Sequence, residues 1–182
     1  MKETTNKIAT AALLHDIGKF WSRTRQTAPY SRAEADMVNT YAHALWSAHF
    51  VERRLCDPEI AAWVRQHHSP DSRESMIISL ADWLSSGERR EDSDTEIGHA
   101  CSAAMISILA RLDGKNKPVF LCEHGDFGEM FFPREDAKVS ETDYGYVWGD
   151  FEKVLDSVNT REASHETWLS LMRRFTSRVP SA

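Results

Sequence analysis

The sequence lacks several features that would place a protein in a broad class. None of its apolar stretches approaches the roughly 20 residues that span a bilayer, so no membrane segment is predicted. Its three cysteines, Cys56, Cys101 and Cys122, form no Cys-x-x-Cys pair, which is typical of free thiols in a reducing cytoplasm. Basic residues are not in excess, because the formal net charge is −6 at pH 7. Any contact with a phosphate backbone must therefore come from a local patch or a partner subunit.

What the chain does have is enough apolar material for a core. Its 182 residues include six tryptophans and eight phenylalanines, which fits one domain or one domain with a small appendage. Most segments show helical periodicity, and two short apolar runs around 119–132 suggest a β-hairpin. We therefore predict a mainly α fold, a helical bundle with a small β-hairpin appendage. The expected divisions are a helical core over 1–112, a hairpin or loop insertion over 113–140, and C-terminal helices over 141–182.

Local signals predict where the helices of the core begin and end. A first helix over 5–17 would end at Gly18, acting as a left-handed cap, and 21–30 would form a loop. Ser31, with Glu34 at capping-box spacing, would begin a helix running through His43 towards residue 54. Asp57 before Pro58, and then Asp71 and Ser72, would begin the next two helices. The segment 76–84, apolar on most sides, is predicted to be a central buried helix.

The most informative local feature is the pair His15-Asp16 inside the apolar run 11–20. Burying an unpaired carboxylate is costly, so a polar pair in such a run requires compensation. An imidazole and a carboxylate side by side can bind a divalent cation, which would offset the desolvation of both groups. The alternative is a histidine at a helix end beside a solvated aspartate.

Further potential ligands recur downstream in helix-like segments, namely His43, the pair His67-His68, and Asp82. An ionised Asp82 among apolar neighbours should be neutralised by a cation, and a metal ion is the simplest candidate. Its alternative partner is an arginine: Arg65, Arg89 or Arg90. His67 also has a plain alternative as a core histidine bonded to a neighbour.

Helical geometry limits which histidines can share a site. His43 and His49 are six residues apart, about 240° around a helix, so both cannot point into one cavity. Two assignments follow, one with His43 in the site and one with His49. Whichever of the two lies outside the site would be a structural residue.

Read with their neighbours, these segments resemble the HD superfamily of metal-dependent phosphohydrolases. More narrowly, they resemble the N-terminal HD nuclease domain of the large subunit of type III CRISPR effector complexes. The resemblance rests on 14–20, 43–52, 67–68 and 81–89, and more weakly on 175–182. Its most specific part is Asp82-Trp-Leu-Ser-Ser-Gly-Glu-Arg, since ordinary HD phosphodiesterases need no such sequence after their last aspartate.

The resemblance implies a ligand set and roles. Asp16 would bind or bridge the metals, His15 and Asp82 would hold one ion, and three histidines, His43, His67 and His68, would hold the second. The family pattern thus favours His43 for the site, which leaves His49 as a structural residue. One or two ions would bind, and a pair about 4 Å apart would polarise a phosphodiester and activate water. Imidazole-rich ligation favours Mn, Fe, Co or Ni over Mg.

Residues near the dyad have possible substrate roles. Lys19 would stabilise charge on the phosphate, or is an ordinary surface lysine. Arg23, Arg25 and Arg32 lie in the adjoining loop and would track a phosphate backbone. Phe20 or Trp21 would stack a base, the alternative being a solvated loop with two packed aromatics.

The implied function is a metal-dependent nuclease that cleaves single-stranded DNA within a cytoplasmic CRISPR ribonucleoprotein. Its partners would be the other subunits of that complex and, indirectly, the CRISPR RNA and target RNA. One alternative is another HD phosphodiesterase or nucleotidase. The other is a catalytically weak scaffold that docks partner subunits.

One departure from the superfamily pattern bears on these alternatives. HD enzymes usually have a further histidine upstream of the dyad, and residues 1–14 contain none. In the CRISPR large subunit the corresponding histidine lies further along the chain, so this sequence resembles an N-terminal fragment of a longer subunit. His99, His124 and His165 have no motif that would assign them the missing role. A weakened or mononuclear site therefore stays open.

Overall fold

The computed structural model describes residues 2–24, 26–37, 40–86 and 141–176. The first of its helices are α1 (Lys2–Leu14), α2 (Ile17–Ser22), α3 (Arg32–Met37), α4 (Ala42–Leu55), α5 (Pro58–Arg65) and α6 (Arg73–Ser86). After the gap come α7 (Glu141–Asp156) and α8 (His165–Thr176). These elements confirm the mainly helical class. The predicted hairpin at 119–132 lies outside the described residues, and the predicted domain divisions stay predictions.

Several helices begin where side-chain capping predicts. The Asp57 carboxylate accepts hydrogen bonds from the backbone N–H groups of Glu59 and Ile60, at 3.0 and 3.1 Å, with Pro58 as the first helical residue. The Ser31 hydroxyl accepts from the N–H of Glu34 at 3.1 Å. In the same way, Ser72 Oγ accepts from the backbone of Ser75 at 3.2 Å. The predicted starts of α3, α5 and α6 are thus confirmed.

The single helix predicted from Ser31 towards residue 54 is wrong. It is divided into α3 and α4, and between them Tyr41 has an extended backbone with φ −73° and ψ 146°. The break lets α3 turn back against α4, so that Glu34 Oε1 lies 2.8 Å from His49 Nε2. A tertiary hydrogen bond between the two helices thus accompanies the change in chain direction.

The predicted cap at Gly18 is also wrong. The chain leaves α1 at Leu14, His15 and Asp16 form a turn, and Gly18 lies inside α2. Its backbone N–H donates to Ser47 Oγ at 2.8 Å. A β-carbon at position 18 would lie 2.0 Å from the backbone oxygen of His43. Glycine is therefore required here by the close approach of α2 to α4.

The core is rich in aromatic side chains, and it includes the two aromatics at the end of α2. Phe20 and Trp21 are buried, and the indole of Trp21 stacks on that of Trp148, with centroids 5.4 Å apart and planes 6° apart. Phe50 lies beside Trp148 and Trp168. The packed-aromatic alternative is therefore the observed one, and neither Phe20 nor Trp21 is available to stack a base.

The prediction that the segment 76–84 forms a central buried helix is wrong. Within the described ranges only one face of α6 is covered, where Ser75, Ile78 and Ser79 are buried and the helix meets α1 and α5. The large apolar side chains on its other face are exposed in the structure: Met76, Ile77, Leu80, Trp83 and Leu84. The sequence suggested burial because apolar residues occur on both faces of α6. None of the described helices is long and apolar enough to cross a membrane.

Candidate metal centre

Six side chains from separate parts of the bundle meet at one end of α1. His15 and Asp16 lie in the turn between α1 and α2, and His43 lies in the first turn of α4. The pair His67-His68 follows the end of α5, and Asp82 projects from α6. We call these six residues the His/Asp cluster. They are the six residues that the sequence predicted as metal ligands.

His67 lies at the centre of the cluster and is only 1% exposed. Its ring centroid lies 4.0 Å from that of His68, 4.9 Å from that of His15 and 5.5 Å from that of His43. Two groups of three have ligand atoms within 4.8 Å of one another, His43 with His67 and His68, and His15 with Asp16 and His67. His67 is the residue that both groups share.

Backbone carbonyl groups orient two of the imidazoles. His67 Nδ1 donates to the carbonyl oxygen of Val64 at 2.6 Å, and His15 Nδ1 donates to that of Ala12 at 2.8 Å. Since a carbonyl can only accept, each bond places the proton on Nδ1 and leaves the lone pair on Nε2. Each Nε2 atom thereby has a lone pair that can bind a metal ion.

Asp16 lies between the two groups. Its Oδ2 accepts from Lys19 Nζ at 2.8 Å, and its Oδ1 lies 3.5 Å from His43 Nε2. Burial would raise the pKa of Asp16, but its electrostatic interactions with His15 and Lys19, together with the Lys19 hydrogen bond, outweigh burial and lower that pKa below its usual value. Asp16 is thus held as a carboxylate.

Asp82 approaches the cluster from α6. Its Oδ1 lies 3.4 Å from His15 Nε2, which also lies 3.5 Å from Asp16 Oδ2. Arg65, one of the arginines considered as its partner, pairs instead with Glu52 at 2.9 Å. The other two, Arg89 and Arg90, lie outside the described residues. The position of Asp82 beside the dyad is what a shared metal site requires.

Three histidines of the cluster, His43, His67 and His68, are held in the neutral form that can bind a metal. Burial lowers the pKa of His43 to about 3, with Asp16 opposing the shift, and lowers the pKa of His67 to about 4, against the opposing effect of the Val64 hydrogen bond. Burial also lowers the pKa of His68. His43 Nε2 and His68 Nε2 lie 2.8 Å apart. Neutral imidazoles are the ligand form, so this environment favours a bound cation.

Three buried polar atoms of the cluster show that a divalent ion fits here. His15 Nε2, Asp16 Oδ1 and His67 Nε2 are buried and have no hydrogen-bond partner within the described part of the chain. Buried polar atoms are rarely left unpaired in native proteins, and these three belong to the His15, Asp16 and His67 group. The donor set combines several imidazoles with two carboxylates, which suits transition metals more than Mg²⁺.

The remaining predicted site residues lie elsewhere or outside the described range. His49 pairs with Glu34, as the structural assignment required. Arg23 is only 6% exposed, and its guanidinium lies 5.6 Å from the centroid of the Tyr144 ring, so it is not the solvent-facing loop residue expected to track a phosphate backbone. Arg25, His99 and His124 lie outside the described residues. His165 lies at the start of α8, with Nε2 3.2 Å from Glu166 Oε1.

Two residues that contribute to the site were missed by sequence reasoning. Ser47 receives the Gly18 hydrogen bond and fixes α2 against α4, and Tyr41 places its ring 4.4 Å from that of His68. No local signal marks Ser47, because its partner is 29 positions away. Tyr41 stands two positions before His43 and had a usable signal, an aromatic beside a predicted ligand.

Comparisons with known proteins agree with this geometry. The HD domain family matches residues 1–87, the range that contains the whole cluster. Over 184 aligned positions the chain is 36% identical to the CRISPR system single-strand-specific deoxyribonuclease Cas10/Csm1 (subtype III-A) of Methanocaldococcus jannaschii. That alignment covers 93% of this chain but only 23% of the relative. No solved structure matches the chain significantly. Residues 1–87, with their clustered histidines and aspartates, thus match the HD domain family.

Proposed function

We propose that this chain is a metal-dependent phosphodiesterase domain that cleaves single-stranded DNA within a type III CRISPR effector complex. The observation that carries the hydrolytic part is the His/Asp cluster, in which three buried potential ligand atoms have no hydrogen-bond partner among the described residues. The substrate and the complex are inferred from the relative, which is named a single-strand-specific deoxyribonuclease of a CRISPR system. The other subunits and their RNAs would be its partners, in the cytoplasm.

The proposed ligands are the six residues of the His/Asp cluster. When bound, one or two divalent ions would supply Lewis acidity and activate water for attack at phosphorus. Mn, Fe, Co and Ni suit the imidazole-rich set better than Mg. Asp16 contributes a fixed negative charge, and the carbonyl groups behind His15 and His67 hold their imidazoles in the ligand tautomer.

Lys19 is the cation of the described residues that is best placed to meet a phosphate. Its Nζ lies 2.8 Å from Asp16 Oδ2, and its side chain is about one quarter exposed. A lysine at the edge of the cluster can bind a non-bridging phosphate oxygen and stabilise the charge that develops during hydrolysis. We assign Lys19 this role, and we leave Arg23 out of the substrate contacts because it is buried over Tyr144.

The test is cleavage of an end-labelled single strand and the matching duplex by the purified chain with Mn, Co, Ni or Mg, or with EDTA. His15→Ala and Asp16→Ala should abolish cleavage, whereas His49→Gln, which changes a histidine paired with Glu34, should retain it. Metal content of each variant would be measured after dialysis. Activity on mononucleotides alone would favour another HD phosphodiesterase, and failure to take up metal would favour a docking scaffold.

A further inference from the structure

We propose that Tyr41 is a nucleobase-stacking residue that positions a single-stranded substrate beside the His/Asp cluster. This inference rests on the proposed function, since it names the part of the substrate that Tyr41 would hold. The observation is an exposed aromatic ring in direct contact with two of the clustered imidazoles. Nothing in the packing of the described core requires a tyrosine at this place.

The position of Tyr41 is fixed by its backbone. Its carbonyl oxygen accepts from the N–H groups of Ala44 at 3.0 Å and Leu45 at 3.4 Å, in the first turn of α4. The preceding residue is anchored as well, because the hydroxyl of Thr40 donates to the carbonyl oxygen of Arg65 at 3.0 Å, at the end of α5. Tyr41 is therefore tied to the two elements that carry His43 and His67-His68.

The Tyr41 ring lies at the edge of the cluster. Its centroid is 4.4 Å from that of His68 and 5.8 Å from that of His43, and it is inclined 27° to the His43 ring. Yet Tyr41 stays 63% exposed, in contrast to His67, which is 1% exposed. The two imidazoles thus cover only part of the tyrosine, and the rest of its ring is open to a planar ligand.

The negative charge of the chain is a reason for it to bind DNA through an aromatic ring. With a formal net charge of −6, the chain gains little from attraction to a phosphate backbone. Stacking of bases on aromatic rings does not depend on charge and tolerates any sequence, as a non-specific single-strand nuclease would need. A base stacked on Tyr41 would bring an adjacent phosphodiester towards the histidines that the ring contacts.

The first test compares a DNA single strand with the same strand built from abasic tetrahydrofuran units, using metal-loaded protein. Tyr41→Ala should raise KM for the normal strand about fivefold to 150-fold, with a smaller change in kcat, and should leave KM for the abasic strand unchanged. Tyr41→Phe should behave like the wild type. Tyr146→Ala, which removes another exposed tyrosine on a helix outside the cluster, is the matched control.

An equal loss on both strands would overturn the proposal, because it would mean that Tyr41 only packs against His68. So would an unchanged KM for the normal strand. If no variant cleaves DNA, the proposed function fails, and a second measurement still tests the stacking. A single strand containing 5-iodouracil would be photocrosslinked to the chain and the adduct located by mass spectrometry. Crosslinking at Tyr41 supports the inference, and its absence there overturns it.

Discussion

The backbone oxygen of His43 lies so close to Gly18 that a β-carbon at position 18 would come within 2.0 Å of it. The same glycine donates its N–H to Ser47 Oγ at 2.8 Å. Since Gly18 follows Asp16 by two positions, this close approach sets the distance between the dyad and α4. The 3.5 Å separation of Asp16 Oδ1 from His43 Nε2 therefore depends on the absence of a side chain at position 18.

We expect Gly18→Ala to lower the free energy of unfolding by about 3 kcal/mol, because the new methyl group would meet backbone atoms that cannot move aside. It would meet the Ser47 nitrogen as well, at 2.7 Å. Relief requires α2 and α4 to separate, so metal affinity should fall with stability. Urea unfolding of the metal-free protein and metal titration of the folded variant would measure the two effects.

Gly149→Ala provides the matched control for this prediction. Gly149 lies inside α7, and among the described residues a β-carbon there would have no heavy atom within 4 Å beyond its chain neighbours and the backbone of its own helix. The substitution should be neutral or stabilising by up to about 1 kcal/mol, because alanine is the better helix former. Equal destabilisation by both variants would contradict the assignment of the effect to the α2–α4 contact.

The candidate ligands could be proposed from the sequence because their chemistry conflicts with their surroundings. His15 and Asp16 interrupt an apolar run, and Asp82 lies between Ala81 and Trp83. The helix starts at Ser31 and Asp57 could also be predicted from the sequence, because a capping side chain and its backbone partner are only two or three residues apart. Features whose physical cause is local could thus be predicted.

Features that depend on a residue far away in the sequence could not be predicted. The role of Gly18 depends on the backbone of His43, 25 positions later, and the burial of Arg23 depends on Tyr144 from α7. The exposure of α6 is of the same kind, because an apolar residue such as Leu84 is buried only if another element covers it. Periodicity describes one helix and does not specify its neighbours.

Because His67 belongs to both groups of the cluster, replacing it should weaken metal binding more than replacing His68. His67→Gln removes a ligand from both groups of the cluster, whereas His68→Gln removes one from a single group. We expect His67→Gln to weaken metal binding at least about a hundredfold, and His68→Gln to weaken it less. Equilibrium dialysis with Mn²⁺ would measure both. His49→Gln is the control, and circular dichroism would verify that each variant folds; equal losses in the two cluster variants would contradict the shared role.

The lowered histidine pKa values predict that the metal-free protein loses stability in mild acid. Burial lowers the pKa of His43 to about 3 and that of His67 to about 4, while an unfolded histidine titrates near pH 6.5. The unfolded chain therefore binds more protons below pH 6.5. The stability that these neutral histidines contribute is fully present above that pH and is lost as the pH falls towards 4.

Urea unfolding in EDTA at pH 7.5 and at pH 5.5 would measure this loss. His43→Gln should show a smaller difference between the two pH values than the wild type, since it lacks one of the titrating groups. His49→Gln serves again as the comparison, because its histidine lies outside the cluster. A wild-type stability that does not change over this range would contradict the lowered pKa values.

Lys19 allows charge stabilisation of a phosphate to be distinguished from simple pairing with Asp16. Its Nζ lies 2.8 Å from Asp16 Oδ2, and Lys153 makes an ion pair of the same length and spacing with Asp150 on α7. If Lys19 meets the substrate, Lys19→Gln should lower kcat about a hundredfold while the metal content is retained, and Lys19→Arg should recover part of the loss. Lys153→Gln should leave kcat unchanged. Single-turnover cleavage with parallel metal analysis would measure these effects. A wild-type kcat for Lys19→Gln would contradict the proposed role and mean that Lys19 only forms an ion pair with Asp16.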